Sequence, residues 1–479
     1  MQTISRVRTA VLLLCLFAAP SAGGYSLLTH EQLIDLTWDA SIVPLLKSRY
    51  PTLTDAQIEH ARAYAYGGCV IQDIGYYPFG DSFFSNLTHY VRSGDFVVNL
   101  FRNAGNADEL AFAVGALSHF IGDSIGHSEA TNHAVPVEFP KLAKRYGGTV
   151  NYAQGPSEHV RTEYAFDINE IAHRRFAPMY YLKHVGLEVP QRQLELAFYQ
   201  TYGLAEDFSK GKGRKVNVKG YRFAVRSFIP RVSYAVTVLH KKHEPPVMDS
   251  PEMQRLTAEL AKVDAENNWE QYRAKPGIGT YSLAGLIWIM PKVGPIKFTA
   301  VKGPTVGTDQ EYVHSLLQST DLLNATLRRF TPPPATGEGA KQAAATDTHS
   351  QPPPSDPLPA KPGASQAVVP GSGDPRHPLR NRDLDTGAVV KPGGYPLTDE
   401  TYRKLVHVLA AKPTQPIPPG IKEDILAYYA DMNVEFATKK HDKEWQALQA
   451  DLTTLRGMPT SNEPLPFPTY GPEVEEGTK

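Results

Sequence analysis

Residues 107–130 read ADELAFAVGALSHFIGDSIGHSEA. The run is long and apolar, and the small residues Ala113, Gly115, Ala116 and Gly122 let a neighbouring helix come close. Its spacing predicts an α-helix. His119, Asp123 and His127 fall at i, i+4 and i+8, so they share one face that drifts by about 40° per step. Apolar flanks would bury that face. Burying two imidazoles and a carboxylate is costly unless they are paired or bind a metal. The stripe therefore reads as a set of metal ligands, with a hydrogen-bonded polar network in the core as the plainer alternative.

Helical patterning continues on both sides. HEQLIDLTWDASIVPLLKSRY (30–50) and DAQIEHARAYAYGG (55–68) place apolar residues at three- and four-residue spacing. In the second, Asp55 is a candidate cap and Gly67–Gly68 a stop. Strand-like alternation is scarce, and its best case, Tyr221 to Val238, also fits a helix. Residues 25–330 are expected to form an all-α, multi-helix bundle. Residues 331–378 hold twelve prolines and no aromatic residue, the composition of a disordered or extended linker. Residues 379–460 carry three helical patterns, 398–411, 422–437 and 443–457, which either dock back or form a separate module. Residues 461–479 read as a flexible tail.

The 479 residues carry a net charge of −1 and are 41% hydrophobic, which excludes a wholly disordered or collagen-like chain. Near-neutrality argues against a global nucleic-acid-binding polyelectrolyte. Residues 1–24 read as a secretory signal: Arg6 and Arg8, the apolar run AVLLLCLFAA (10–19), then small residues in PSAGG. Cleavage is expected after Ala22 or Gly24, giving a secreted or periplasmic protein. Leu14 before Cys15 argues against a lipoprotein box. Cys69 is then alone, so no intramolecular disulfide is possible. No later stretch suits a transmembrane span, since the best, Leu283 to Met290, stops at Pro291.

Further candidate ligands lie outside the stripe. His159 and Glu163 stand at i and i+4. Asp73 is followed by His89 sixteen residues later, and His30 precedes them all. Taken singly, His89 reads as an ordinary core or surface histidine, His159–Glu163 as an exposed helical pair, and Asp73 as a cap. Together, five histidines and three acids exceed what one tetrahedral zinc can use, which implies two or three ions.

YSLLTHE, GGCVIQDIGYYPFGD, ALSHFIGDSIGHS and EHVRTEY, in that order, resemble the bacterial zinc-dependent phospholipase C family, a relative of the fungal single-strand-specific S-type nucleases. The resemblance spans about residues 25–330. It implies an all-α fold carrying three zinc ions. Asp73, His89 and His119 would hold one. Asp123 would bridge it to a second, also held by His30 and by the main chain of the mature N-terminus, Tyr25 after cleavage at Gly24. His127, His159 and Glu163 would hold the third.

Two features depart from the best-known members. The histidine after the bridging aspartate comes four residues later rather than six, with His133 as a second candidate, as in more distant relatives such as the catalytic domain of GPI-specific phospholipase D. Ile74 also stands where choline-selective members have an aromatic, so no choline pocket carries over. Tyr76, Tyr77, Phe79, Phe83 and Phe84 either line a substrate cleft or anchor the loop in the core.

Zinc suits phosphodiester cleavage, because it polarises phosphate oxygens and lowers the pKa of a bound water toward a hydroxide nucleophile. The resemblance also implies a general-base role for Asp73. From Phe208 to His243 there are ten Lys or Arg and no Asp or Glu. This stretch is either a solvated face or, over residues 210–242, a contact for anionic lipid or nucleic acid. The expected function is a secreted phospholipase C. The alternatives are a single-strand nuclease using the same cluster and a non-catalytic module stapled by zinc.

Overall fold

The computed structural model describes residues 26–76, 80–176, 187–206, 208, 218–223, 228–240, 249–268, 276–292, 294–331 and 376–461. The described residues are all-α. They contain no strand, only the isolated bridges Arg382–Val389 and Ile417–Thr460. No described helix is long and apolar enough to cross a membrane. The signal segment with Tyr25, most of the proline-rich stretch and most of the tail lie outside the described residues.

The helices that frame the centre are α1 (Leu27–Thr37), α2 (Asp55–Gly68), α3 (Ser82–Tyr90), α4 (Ser93–Arg102), α5 (Ala107–Gly126) and α6 (Pro156–Ala172). Outside them lie α7 (Gln191–Tyr202), α8 (Ile229–His240), α9 (Ile278–Ile289) and α10 (Val306–Phe330). The C-terminal segment adds α11 (Pro396–Ala410), α12 (Pro419–Tyr428) and α13 (Asp442–Gly457).

The stretch that opened the sequence reading becomes α5, the buried axis of the bundle. Asn106 caps it by accepting from the Glu109 N–H at 2.9 Å, and Asp108 and Glu109 complement its positive end. α2 lies closest to it. A Cβ on Gly68 would run into the Phe112 carbonyl and one on Gly115 into the Ala65 carbonyl, so glycine is what lets these backbones meet. α5 ends in a π-helical turn, His127–Thr131, which widens the chain where the ligand stripe finishes.

α1 is pinned to α6. The Asp167 carboxylate accepts from Leu28 N (3.0 Å), Thr29 N (3.1 Å) and Thr29 Oγ1 (2.8 Å), satisfying N–H groups that a helix start leaves unpaired. This fixes His30, the next residue of the helix. Residues 376–461 dock on the first block. Ser93 Oγ donates to the Arg382 carbonyl at 2.6 Å and accepts from Arg382 N at 3.0 Å. Arg92 spans Asp95 (2.9 Å) and Asp424 (2.7 Å), and His377 adds a contact to Asp95 at 2.8 Å. The Asp95–His377–Asp424 group thus already has a guanidinium at its centre, which makes it an ion-pair clasp.

Candidate metal centre

Eight side chains converge between α1, α3, α5 and α6 and the turn Ile71–Tyr76, which carries Asp73. Asp123 is the hub of one half. Its Oδ1 lies 3.2 Å from His30 Nε2, and its Oδ2 lies 3.1 Å from His119 Nε2 and 3.3 Å from His89 Nε2. Asp73 Oδ1 is 3.3 Å from the same His89 nitrogen. In the other half Glu163 Oε1 stands 3.3 Å from His127 Nε2 and 3.0 Å from His159 Nε2. Three sets of ligand atoms are each close enough to share an ion: His30/His119/Asp123, Asp73/His89/His119 and His127/His159/Glu163. All eight residues are buried.

The donor set fits zinc for a reason that lies behind the rings. His89 Nδ1 meets the Ser85 carbonyl at 2.7 Å, His119 Nδ1 meets the Cys69 carbonyl at 2.9 Å, and His127 Nδ1 meets the Leu384 carbonyl at 2.6 Å. A carbonyl only accepts, so Nδ1 carries the proton in each ring. In the neutral ring, Nε2 then turns a lone pair toward a carboxylate oxygen, an acceptor facing an acceptor. Either a second proton or a cation must lie between them. Carbonyls behind ligating histidines are the usual means of fixing the tautomer at metal sites.

Charge in the metal-free centre follows the same logic. Burial opposes a charged His127, but the Glu163 carboxylate outweighs it and the pKa is pushed up to about 10. Burial also disfavours charge on His89, and Asp123 and Asp73 overcome it, raising its pKa. His30 and His159 have no such excess of acid. Burial, reinforced by His119 for the first and His127 for the second, lowers both. Burial resists a charged Asp123, yet the imidazoles around it, His119 foremost, hold its carboxyl well below the usual range.

Residues 29–206 match the family model described as zinc dependent phospholipase C. Over these residues the chain is similar to that family. No curated protein and no solved structure gives a significant match. The whole eight-residue set lies inside the matched phospholipase C-family region.

The geometry sorts the remaining candidates. His127, and not His133, stands beside His159 and Glu163; His133 is half-buried and lies near Glu311 instead. Phe83 and Phe84 are core residues, Phe84 stacking on Phe198 with ring centroids 4.9 Å apart, so they do not line a cleft. Tyr76 lies beside His89 at 5.6 Å. Tyr25, Tyr77 and Phe79 lie outside the described residues.

Two groups beside this centre escaped the sequence reading. The Leu384 carbonyl belongs to a stretch without regular structure, and a main-chain oxygen carries no residue signature. Asp385 is buried beside His127 and His89, and its Oδ2 accepts from Tyr90 at 2.9 Å and Tyr395 at 2.6 Å. Its only sequence signal is the pair of acids in Asp383-Leu384-Asp385, which nothing in the sequence ties to a histidine 258 positions away.

Proposed function

We propose that the chain is a secreted phospholipase C that hydrolyses the phosphodiester linking a lipid's glycerol to its headgroup, using three zinc ions. What supports this is the convergence of five imidazoles and three carboxylates in one buried centre, inside the region matched by the zinc-dependent phospholipase C model. His30 and Asp123 would hold one ion with the mature N-terminus. Asp73, His89, His119 and Asp123 would hold another, and His127, His159 and Glu163 the third. Bound zinc supplies Lewis acidity toward the phosphate oxygens and acidifies water at neutral pH. The protein's part is to hold Nε2 of His89, His119 and His127 inward by hydrogen bonds on Nδ1, and to exclude bulk water. The Asp73 carboxylate, 3.3 Å from His89 Nε2, would take a proton from the attacking water. Export rests on the signal-like residues 1–24.

A lipid surface also suits the outer face of α8 and α9. α9 packs along α8, which lies in the basic stretch and carries the exposed Arg231. α9 itself has no charged residue, and Ile278 (88% exposed), Tyr281, Trp288 (74%) and Ile289 face solvent. Apolar and aromatic groups beside cations are the pattern of a peripheral contact with anionic membranes.

The test is hydrolysis by the zinc-loaded full-length protein. Phosphatidylcholine and phosphatidylglycerol vesicles should release diacylglycerol and a phosphorylated headgroup. Cleavage of single-stranded DNA without lipid hydrolysis would favour the nuclease reading. Zinc binding with neither activity would leave the ions a structural role.

A further inference from the structure

Residues 381–387 run from the docking contact at Ser93 to the rear of the centre. The Leu384 carbonyl holds His127 Nδ1, and Leu384 N donates to the His89 carbonyl at 3.2 Å, so one residue touches histidines of both halves. Asn132 Nδ2 donates to the Asp385 carbonyl at 2.8 Å. Gly387, at φ +68, sits so tightly against the Ser124 carbonyl of α5 that no side chain would fit. These contacts seat a strap from outside the matched family region against the ligand helix itself.

The strap also brings charge. Asp385 is wholly buried, and while its Oδ2 takes two tyrosine hydroxyls, its Oδ1 has no hydrogen-bond partner. Asp383 Oδ1 accepts from Asp385 N at 3.0 Å, and its Oδ2 is likewise without a hydrogen bond. A buried carboxylate oxygen left in this state is costly unless a cation offsets it. Three divalent ions would bring six positive charges against only three ligand carboxylates, Asp73, Asp123 and Glu163. The centre therefore lacks negative charge, and the strap has it in surplus.

We propose that residues 381–387 are a built-in part of the zinc centre, in which the Leu384 carbonyl orients His127 and the Asp385 carboxylate offsets the charge of the bound ions. Asp385 is a positioning residue on this account, since it acts through the ligands and the field around them. The proposal rests on the zinc reading of the eight side chains.

The test uses the full chain and Asp385→Asn, which keeps an acceptor for Tyr90 and Tyr395 and removes the charge. Two readouts should move in opposite directions. Zinc transfer to a chelator should become about 10-fold faster or more, the usual effect of losing an outer partner of a metal site. The metal-free variant should melt at a higher temperature than the metal-free parent, because burial costs the Asp385 charge more than the neighbouring imidazoles return. A residue of merely structural value would instead lower the melting temperature and leave zinc release unchanged, and that result overturns the proposal. If Asp385→Asn does not fold, hydrogen exchange of the unmodified chain decides: zinc loading should slow exchange at 381–387, and unchanged exchange there refutes the strap. A parent chain that binds no zinc would overturn the zinc reading and the strap with it. Zinc binding by the parent with the opposite variant behaviour overturns the strap alone.

Discussion

The two halves of the centre are built differently. Around Asp123, three imidazoles press on one carboxylate, and the carbonyls that orient His89 and His119 come from Ser85 and Cys69, close by in α3 and at the end of α2. Around Glu163, two imidazoles share one carboxylate oxygen, and the carbonyl that orients His127 comes from Leu384 in a segment far along the chain. The ring-orienting carbonyls of the first half lie within the matched region, and Leu384 meets that half at the His89 main chain rather than at a ring. The second depends on the C-terminal segment docking. Metal affinity should therefore be more easily perturbed from a distance at the Glu163 half.

The harshest way to break the comparison is Asp123→Ala. It removes the one acid that His30, His89 and His119 all reach among the described residues, and two ions should be lost. Lipid hydrolysis should fall by about 10³-fold or more, the equivalent of several kcal/mol of charge stabilisation. Activity within tenfold of the parent would contradict the hub role. His159→Ala strikes the other half. Native mass spectrometry should find one zinc fewer with the Asp123 half still loaded, and loss of all ions would show that the halves are not separable.

Gly115→Ala is a smaller, purely steric change behind the Asp123 half. Its Cβ would meet the Ala65 carbonyl and also crowd Cys69, whose carbonyl holds His119. Unfolding in guanidinium should show a loss of about 1–3 kcal/mol. Zinc release should quicken from the Asp123 half and not from the Glu163 half. A uniform effect on both would contradict the locality argued here.

Glu138 probes the surroundings of the Glu163 half most gently. It accepts from Thr162 Oγ1 at 3.2 Å, and burial pushes its carboxyl up to about 8. Because the folded pKa lies above the unfolded value near 4.5, the folded chain binds the extra proton in between. This contribution to stability is complete below pH 4.5 and is lost as pH rises through 8. Glu138→Gln should flatten that part of the profile and stabilise the chain at pH 9 relative to pH 5, on the order of a few kcal/mol. Parallel profiles for parent and variant, followed by urea unfolding, would remove Glu138 from the account.

The bundle and the ligand stripe were legible because both follow from helical periodicity. His119 and Asp123 sit one turn apart, and so do His159 and Glu163, so spacing alone put each pair on a common face. The stripe survives the π turn because that turn begins only at His127, the third ligand position itself, so the α-helical spacing holds up to it. What periodicity could not convey was long-range docking. Phe83 and Phe84 read equally well as cleft or core until α7 supplied Phe198 as a stacking partner. The choice between His127 and His133 depended on where α6 crosses. The Leu384 contact was beyond reach, since it joins a main-chain oxygen to a ring across a proline-rich stretch with no periodic signal.

Counting zinc in the intact, full-length protein by native mass spectrometry tests the central claim most directly. Three ions per chain is the expected result, falling to two in His159→Ala. A chain that holds none under saturating zinc, or one that keeps its full complement after His159→Ala, would contradict a cluster built by these eight side chains.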